Sequence, residues 1–195
     1  ILWVLPLAYH FAVTITAYVR AGSHVLLCPD TLPKAIVDAA RRLRASVLYA
    51  APLHFERMAN LPRGERLSSI RVTLSTAAPI SPAVMERFES VYGVPVGQAY
   101  GLIEAGLPCI NTRTDGLPAS SVGRPVPGYD VAVDPAEVDE SPVPAVLPPG
   151  PLTENLAIAK ARAVGPRHPE DVIRAADTIV ALGARAVVEE PLAFT

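Results

Sequence analysis

From His24 to Ala99, short apolar runs alternate with stretches of helical period, and no other feature restricts the possible fold as strongly. His24 to Cys28 reads as a strand. Pro33 to Leu43 reads as a helix with Ile36, Val37, Ala40 and Leu43 on one stripe, and Ser46 to Tyr49 as a strand again. A short helix over Pro52 to Ala59 and a strand over Arg71 to Ser75 follow. Ser81 stands as an N-cap before Pro82 at the first helical position, and the helix they open carries Val84, Phe88 and Val91 on its apolar face. Val94 to Ala99 is the last strong strand. Strands separated by helices imply right-handed crossovers, so the expected class is α/β, a mainly parallel sheet with flanking helices.

The two ends are read differently. Ile1 to Val19 is mostly apolar, a length that raises a membrane span or the end of a signal sequence. His10, Pro6 and two threonines interrupt that run, and no basic n-region or small-residue cleavage site accompanies it, so a buried helix is expected and a membrane partner is not. A start on Ile1 instead of Met reads as a fragment. Beyond Gly101 the texture turns to loops and short strands, with a strand expected over Tyr129 to Val133 and turns at Asp115-Gly116 and Pro127-Gly128. From Pro135 to Pro151, six of 17 residues are proline, which argues for an extended loop and against a helix. The last stretch is expected to hold a helix from Pro169, with Val172, Ile173, Ala176, Ile179 and Val180 buried and Gly183 past its end, then a strand over Ala186 to Val188. The chain accordingly divides into residues 1–133, a proline-rich linker or loop at 134–152, and a helix-strand tail at 153–195.

Composition removes several classes of function. Half of the 195 residues are hydrophobic, enough for a sizeable core. Seventeen basic against 19 acidic side chains leave a formal charge of -2, so no basic face for nucleic acid is expected. Cys28 and Cys109 form no disulfide framework and no metal-ligand spacing, which fits a reducing, cytoplasmic setting.

In a parallel sheet, ligands bind beyond the carboxyl ends of strands, and two segments stand there. In Ser75-Thr76-Ala77-Ala78-Pro79, small side chains let backbone lie close to a flat ligand; an ordinary strand-to-helix turn has the same composition. In Gln98-Ala99-Tyr100-Gly101-Leu102-Ile103-Glu104, an aromatic ring could stack on a base and a carboxylate could supply one oxygen to Mg²⁺; a core tyrosine and a surface glutamate are the plain alternative. His10 on an apolar stretch reads first as a core histidine.

Taken together, these segments carry a resemblance. Ser75 to Pro79, then Tyr100-Gly101-Leu102-Ile103-Glu104, then Ser121-Val122-Gly123-Arg124-Pro125-Val126-Pro127-Gly128 resemble three successive signatures of the adenylate-forming, AMP-binding enzymes, and Leu5 to His10 resembles the start of that family's acyl-pocket helix. The resemblance, acyl-CoA synthetase-like and covering roughly residues 1–133, implies a two-step reaction. A carboxylic acid attacks the α-phosphate of ATP to give an acyl-adenylate and pyrophosphate, and the acyl group then passes to coenzyme A. It further implies that Ala77, Ala78 and Pro79 lie along the adenine, with Tyr100, Gly101 and Ile103 completing the nucleotide site. Glu104 would act with His10 in catalysis and hold Mg²⁺, and Tyr9, His10, Gln98 and Ala99 would border a small carboxylic acid.

The sequence also departs from that family. Ile103 stands where it carries a threonine, and loss of one such hydroxyl costs about 2–4 kcal/mol of transition-state stabilisation. Its phosphate-cradling loop, ribose-binding aspartate signature and lysine-bearing lid find no counterpart, so an inactive or strongly impaired chain is expected. The tail, Glu170 to Ala176 through Ala181 to Val188, with Thr153 to Leu156, is similar to a helix-strand unit of phosphomethylpyrimidine kinases. The alternative to a ligase fragment is a non-catalytic interaction module or fusion remnant that self-associates or pairs with a complementing chain.

Overall fold

Leu2–Trp3 form a strand, β1, inside the sheet, where a helix running from Ile1 was expected. The reason is burial on both sides. Leu2 and Val4 face one core while Trp3 and Leu5 face the other, so the run is continuously apolar, and periodicity cannot separate such a strand from a buried helix. The computed structural model describes residues 1–62, 66–102, 106–114, 116–132, 136–138, 148–170, 180–182 and 185–187. After exposed Pro6 the chain turns into α1 (Leu7–His10), a π-helical turn (Phe11–Ile15) and α2 (Thr16–Arg20). Among the described residues, no helix is long and apolar enough to cross a membrane.

The expected alternation follows in order: β2 (Leu26–Leu27), α3 (Pro33–Arg42), β3 (Val47–Ala50), α4 (Pro52–Ala59), β4 (Val72–Ser75), α5 (Pro82–Tyr92) and β5 (Val96–Leu102). Each of α3, α4 and α5 opens on proline, whose fixed φ suits the first helical turn and whose missing N–H would have no partner there. The Ser81 hydroxyl accepts from the Val84 N–H at 3.3 Å, and the His54 ring nitrogen Nδ1 accepts from the Ala51 N–H at 3.2 Å. The strand order is β2-β1-β3-β4-β5, all parallel, and two antiparallel strands, β6 (Gly106–Asn111) and β7 (Arg124–Pro125), complete one edge. Strand order reverses between β1 and β3, the topological switch point where open α/β sheets place ligands.

Helices cover both faces. Under α3, α4 and α5 the larger core joins Leu2, Leu48, Ile36, Phe55, Met58 and Phe88. Phe55 meets Phe88 edge-on at 5.1 Å, and the Tyr92 hydroxyl donates to Met58 O at 2.8 Å. In α5 the fully buried side chains are Met85, Phe88 and Tyr92; Val84 and Val91, expected on that stripe, are only partly buried at its flank. The opposite core, beneath α1 and α2, joins Trp3, Tyr49, Leu5, Ile15 and Leu74.

Two compact units divide the chain, Ile1–Val131 and Ala132–Thr195. Tyr129 to Ala132 is not a strand; the Tyr129 N–H closes the Pro127-Gly128 turn on Val126 O, and the edge strand lies earlier, at Arg124–Pro125. Within the second unit, α6 (Pro149–Val164) begins inside the proline-rich segment expected to exclude helix, because Pro149 and Pro151 fall in its first turn, where no intrahelical N–H is needed. A hairpin of β8 (Val180–Leu182) and β9 (Arg185–Val187) follows, so Val180 belongs to a strand and not to the expected helical stripe. Val172, Ile173, Ala176, Ile179 and Gly183 lie outside the described residues.

Gly123, in the third sequence signature, has φ +101°, and a Cβ there would overlap the Ile110 carbonyl and the Asn111 nitrogen of β6. Gly123→Ala should therefore lower stability by about 3 kcal/mol, read as a shift of the urea midpoint.

Candidate functional site

The carboxyl ends of β1, β3, β4 and β5 form one rim, and Thr76 ties its middle together. The Thr76 N–H donates to Ala50 O at 3.1 Å and its buried hydroxyl donates to Ala99 O at 3.0 Å, joining the end of β4 to both neighbouring strands. The chain then leaves β4 level with Ala99 and Tyr100, and Ala77, Ala78 and Pro79 are all exposed there. Ala77 holds φ +75°, a left-handed conformation that suits glycine better than alanine. Tyr100, 45% exposed, stands on the adjacent strand, which runs three residues past its expected end at Ala99, to Leu102.

His10 ends α1 where the helix widens into the π-turn, a distortion that recurs at functional sites. Its ring meets Trp3 at 5.1 Å and Tyr49 at 6.3 Å, edge-on to both, while Trp3 and Tyr49 stack at 4.5 Å with planes 10° apart. Tyr18 closes the group at 6.5 Å from Trp3 and from Tyr49. Burial pushes the Tyr49 phenol up to about 12, the Thr76 hydroxyl opposing the shift and Tyr18 adding to it. Trp3 Nε1–H is buried and makes no hydrogen bond among the described residues, so one unspent donor lies beside His10.

The pleat sorts the expected residues into two sets, which sequence spacing alone does not do. The register pairs Trp3 with Tyr49, Tyr49 with Leu74 and Leu74 with Gly97, so Gly97, Ala99 and Gly101 share the face that carries His10. Gln98 and Tyr100 take the other face, with Ser75, whose buried hydroxyl also makes no hydrogen bond among the described residues. The structure thus places Ala99 on the same face of the sheet as His10, three strands along from β1, and turns Gln98 to the opposite face. The Gln98 amide instead donates to Ala119 O at 2.6 Å. Its cross-strand partner Asn111, wholly buried, donates to Pro118 O at 3.0 Å and Ser121 O at 2.8 Å and accepts from the Arg113 N–H at 2.9 Å. The sequence reading does not single out Asn111; an asparagine closing the apolar run Leu107 to Ile110, with Pro118 and Gly123 downstream, is the trace it leaves in the sequence.

Tyr9 lies in α1. Ile103 and Glu104 lie outside the described residues, so the carboxylate expected to hold a metal has no geometry here. Among the described residues, no group of three His, Cys, Asp or Glu side chains gathers to hold a metal ion. Cys28 and Cys109 are free and buried, as expected of small hydrophobes.

The sequence profile described as AMP-binding enzyme matches residues 1–150. The human mitochondrial acyl-coenzyme A synthetase ACSM6 is 29% identical over 157 residues, covering 77% of this chain and 32% of that protein. The dTTP/UTP pyrophosphatase of Rhodospirillum rubrum is 52% identical over 54 residues, 28% of this chain and 25% of the relative. The chain therefore spans about a third of the synthetase and a quarter of the pyrophosphatase. Among solved structures, apo MatB from Rhodopseudomonas palustris superimposes with a TM-score of 0.57 at 22% identity over 65% of this chain and 26% of that one, a likeness of fold.

Ala77→Gly should relieve the left-handed strain and raise stability by about 1 kcal/mol, measured by thermal unfolding. Burial lowers the pKa of both His10 and His54. Between those lowered values and the ordinary value of about 6.5 the unfolded chain binds more protons than the native one. Stability is then complete above that window and declines as pH falls through it. The urea midpoint should be lower at pH 5 than at pH 7.5, and His54→Gln should shrink that difference.

Proposed function

We propose, from the premise that this chain belongs to the AMP-binding enzyme family, that residues 1–131 form the nucleotide- and acid-binding middle of an acyl-CoA synthetase-like ligase. In the reaction, a carboxylate oxygen attacks the α-phosphorus of ATP and pyrophosphate leaves, giving an acyl-adenylate; a thiolate, that of coenzyme A, then displaces AMP. The observation that carries this reading is the rim at β4 and β5, where Thr76 holds an exposed small-residue segment level with an exposed tyrosine. Adenine lies along Ala77, Ala78 and Pro79 and stacks on Tyr100, and Gly101 leaves room beside it. A base on an aromatic face gains about 1–3 kcal/mol.

On the other face, His10 and Ala99 border the acid, together with Tyr9; Gln98 supports that wall by holding the loop that follows β6. Neutral at pH 7 because burial lowers its pKa, His10 accepts or donates one hydrogen bond without presenting a charge to the acid. The unspent Trp3 N–H suits an acid that brings its own hydrogen-bond acceptor. Mg²⁺ takes one or two carboxylates and fills its sphere with phosphate oxygens and water. Glu104 is the candidate ligand, and a bound ion would neutralise phosphate charge; every other role above belongs to the chain's own residues. Ile103 in place of a hydroxyl residue predicts a slow enzyme, and the whole ligase reaction rests on parts beyond the third of the synthetase that this chain spans. Two buried free thiols suit a reducing, cytoplasmic location.

The tail has a second reading. The 52% match to a dTTP/UTP pyrophosphatase over 54 residues supports a pyrophosphatase-like origin for part of the chain in place of the kinase-like unit, whose expected helical stripe includes Val180, here a strand residue. A fusion of two nucleotide-enzyme pieces follows from that reading. The exposed Phe11, Val19 and Leu27 also suit pairing with a second chain, which a concentration-dependent mass would reveal.

Titration of the full chain with ATP should give saturable binding that Tyr100→Ala weakens about tenfold with little change in melting temperature. Equal affinity in the variant refutes the nucleotide role. In a pyrophosphate-exchange assay with a panel of carboxylic acids, turnover with any acid supports the ligase reading, and with that acid Ile103→Thr should raise the rate by about thirty- to a thousandfold.

A further inference from the structure

The amino ends of the parallel strands, remote from the rim, carry a cavity of about 690 Å³, within the range of small-molecule sites. It lies between the end of α2, the turn after α3 and the starts of β2, β3 and β4. Tyr18, Leu26, Leu43 and Val47 are among its apolar lining residues, Arg44, Arg71 and the Ile1 ammonium are its cations, and none of its described lining residues is acidic. Charges of one sign around a partly apolar hollow select for an amphipathic ligand of the opposite sign.

Arg44 strengthens that reading. It follows α3 in a Schellman turn: the Arg44 N–H donates to Arg41 O and the Ala45 N–H to Ala40 O, both at 3.0 Å, with Arg44 at φ +47°. Glycine is the usual residue at that position, and a side chain there costs about 1 kcal/mol of strain. Helix-dipole complementarity does not require it, because Arg41 and Arg42 already place cations in the last turn of α3. The strained position therefore keeps a guanidinium that the helix itself does not need, on the wall of the cavity.

We propose that this cavity binds a small amphipathic organic monoanion, its apolar body against Tyr18, Leu26 and Val47 and its anionic head on Arg44 and Arg71. The site is independent of the adenylate reading, since it involves none of Ala77, Ala78, Pro79, Tyr100 or Glu104. It requires no reaction, only binding.

Trp3, the single tryptophan, has its ring 6.5 Å from that of Tyr18 and so reports on the cavity wall. The full chain is titrated with hexane-1-sulfonate, which cannot be adenylated, while tryptophan emission is followed. The expected result is saturable binding, weakened at least about fivefold by Arg44→Gly and by Arg71→Gln and unchanged by Tyr100→Ala. Because glycine is at ease at residue 44, the Arg44→Gly protein should melt no lower than the parent, which separates loss of the ligand from loss of the fold. Four results overturn the proposal: no saturation, parental affinity in both arginine variants, equal affinity for hexan-1-ol, or loss of binding in Tyr100→Ala.

Discussion

Everything in the first unit is arranged around a two-residue strand. β1 is hydrogen-bonded on both sides, to β2 and β3, and buries alternate side chains in two different cores. A parallel strand so placed must send its crossovers to opposite faces, because right-handedness fixes the side once the direction of travel is set. The chain from β1 to β2 therefore passes through α1 and α2 on one face, and α3, α4 and α5 collect on the other. The gap left between those two directions is the switch point, and His10, Trp3 and Tyr49 gather beside it.

The second constraint is the pleat. Adjacent residues on β5 cannot serve one pocket, so Gln98 and Ala99 part company although they are neighbours in the chain. Gln98 and Asn111 then do structural work as a cross-strand pair, each spending its amide on carbonyls of the loop between β6 and β7. Gly123 completes that arrangement by lying against the backbone of β6 where no Cβ fits. Two of the three sequence signatures are thus explained differently: the segment after β4 is an exposed surface held from beneath by Thr76, while the one around Gly123 is chiefly a means of closing the sheet edge.

The rim and the cavity occupy opposite ends of the same strands. Strand ends differ chemically, since the carboxyl ends lead into the turns that open helices and the amino ends receive turns that close them. A nucleotide suits the first; the second holds Arg44 and Arg71 beside apolar wall.

Much of this was legible locally. Pro33, Pro52 and the Ser81-Pro82 pair mark helix starts within a residue, because capping and the fixed φ of proline act over one turn and need no distant partner. The parallel class was likewise legible from alternation, and the adenylate-forming kinship from ordered motifs. The same local rules misread Leu2–Trp3 and Pro149, where burial on two sides mimics a helix and prolines in a first turn mimic a linker. Which side of the sheet Gln98 faces, that Asn111 clamps a loop, and that His24, Arg44 and Arg71 line one hollow were decided only by strand register and packing. Those relations join residues that the chain separates by many positions, and nothing in a one-dimensional pattern carries the distance between them.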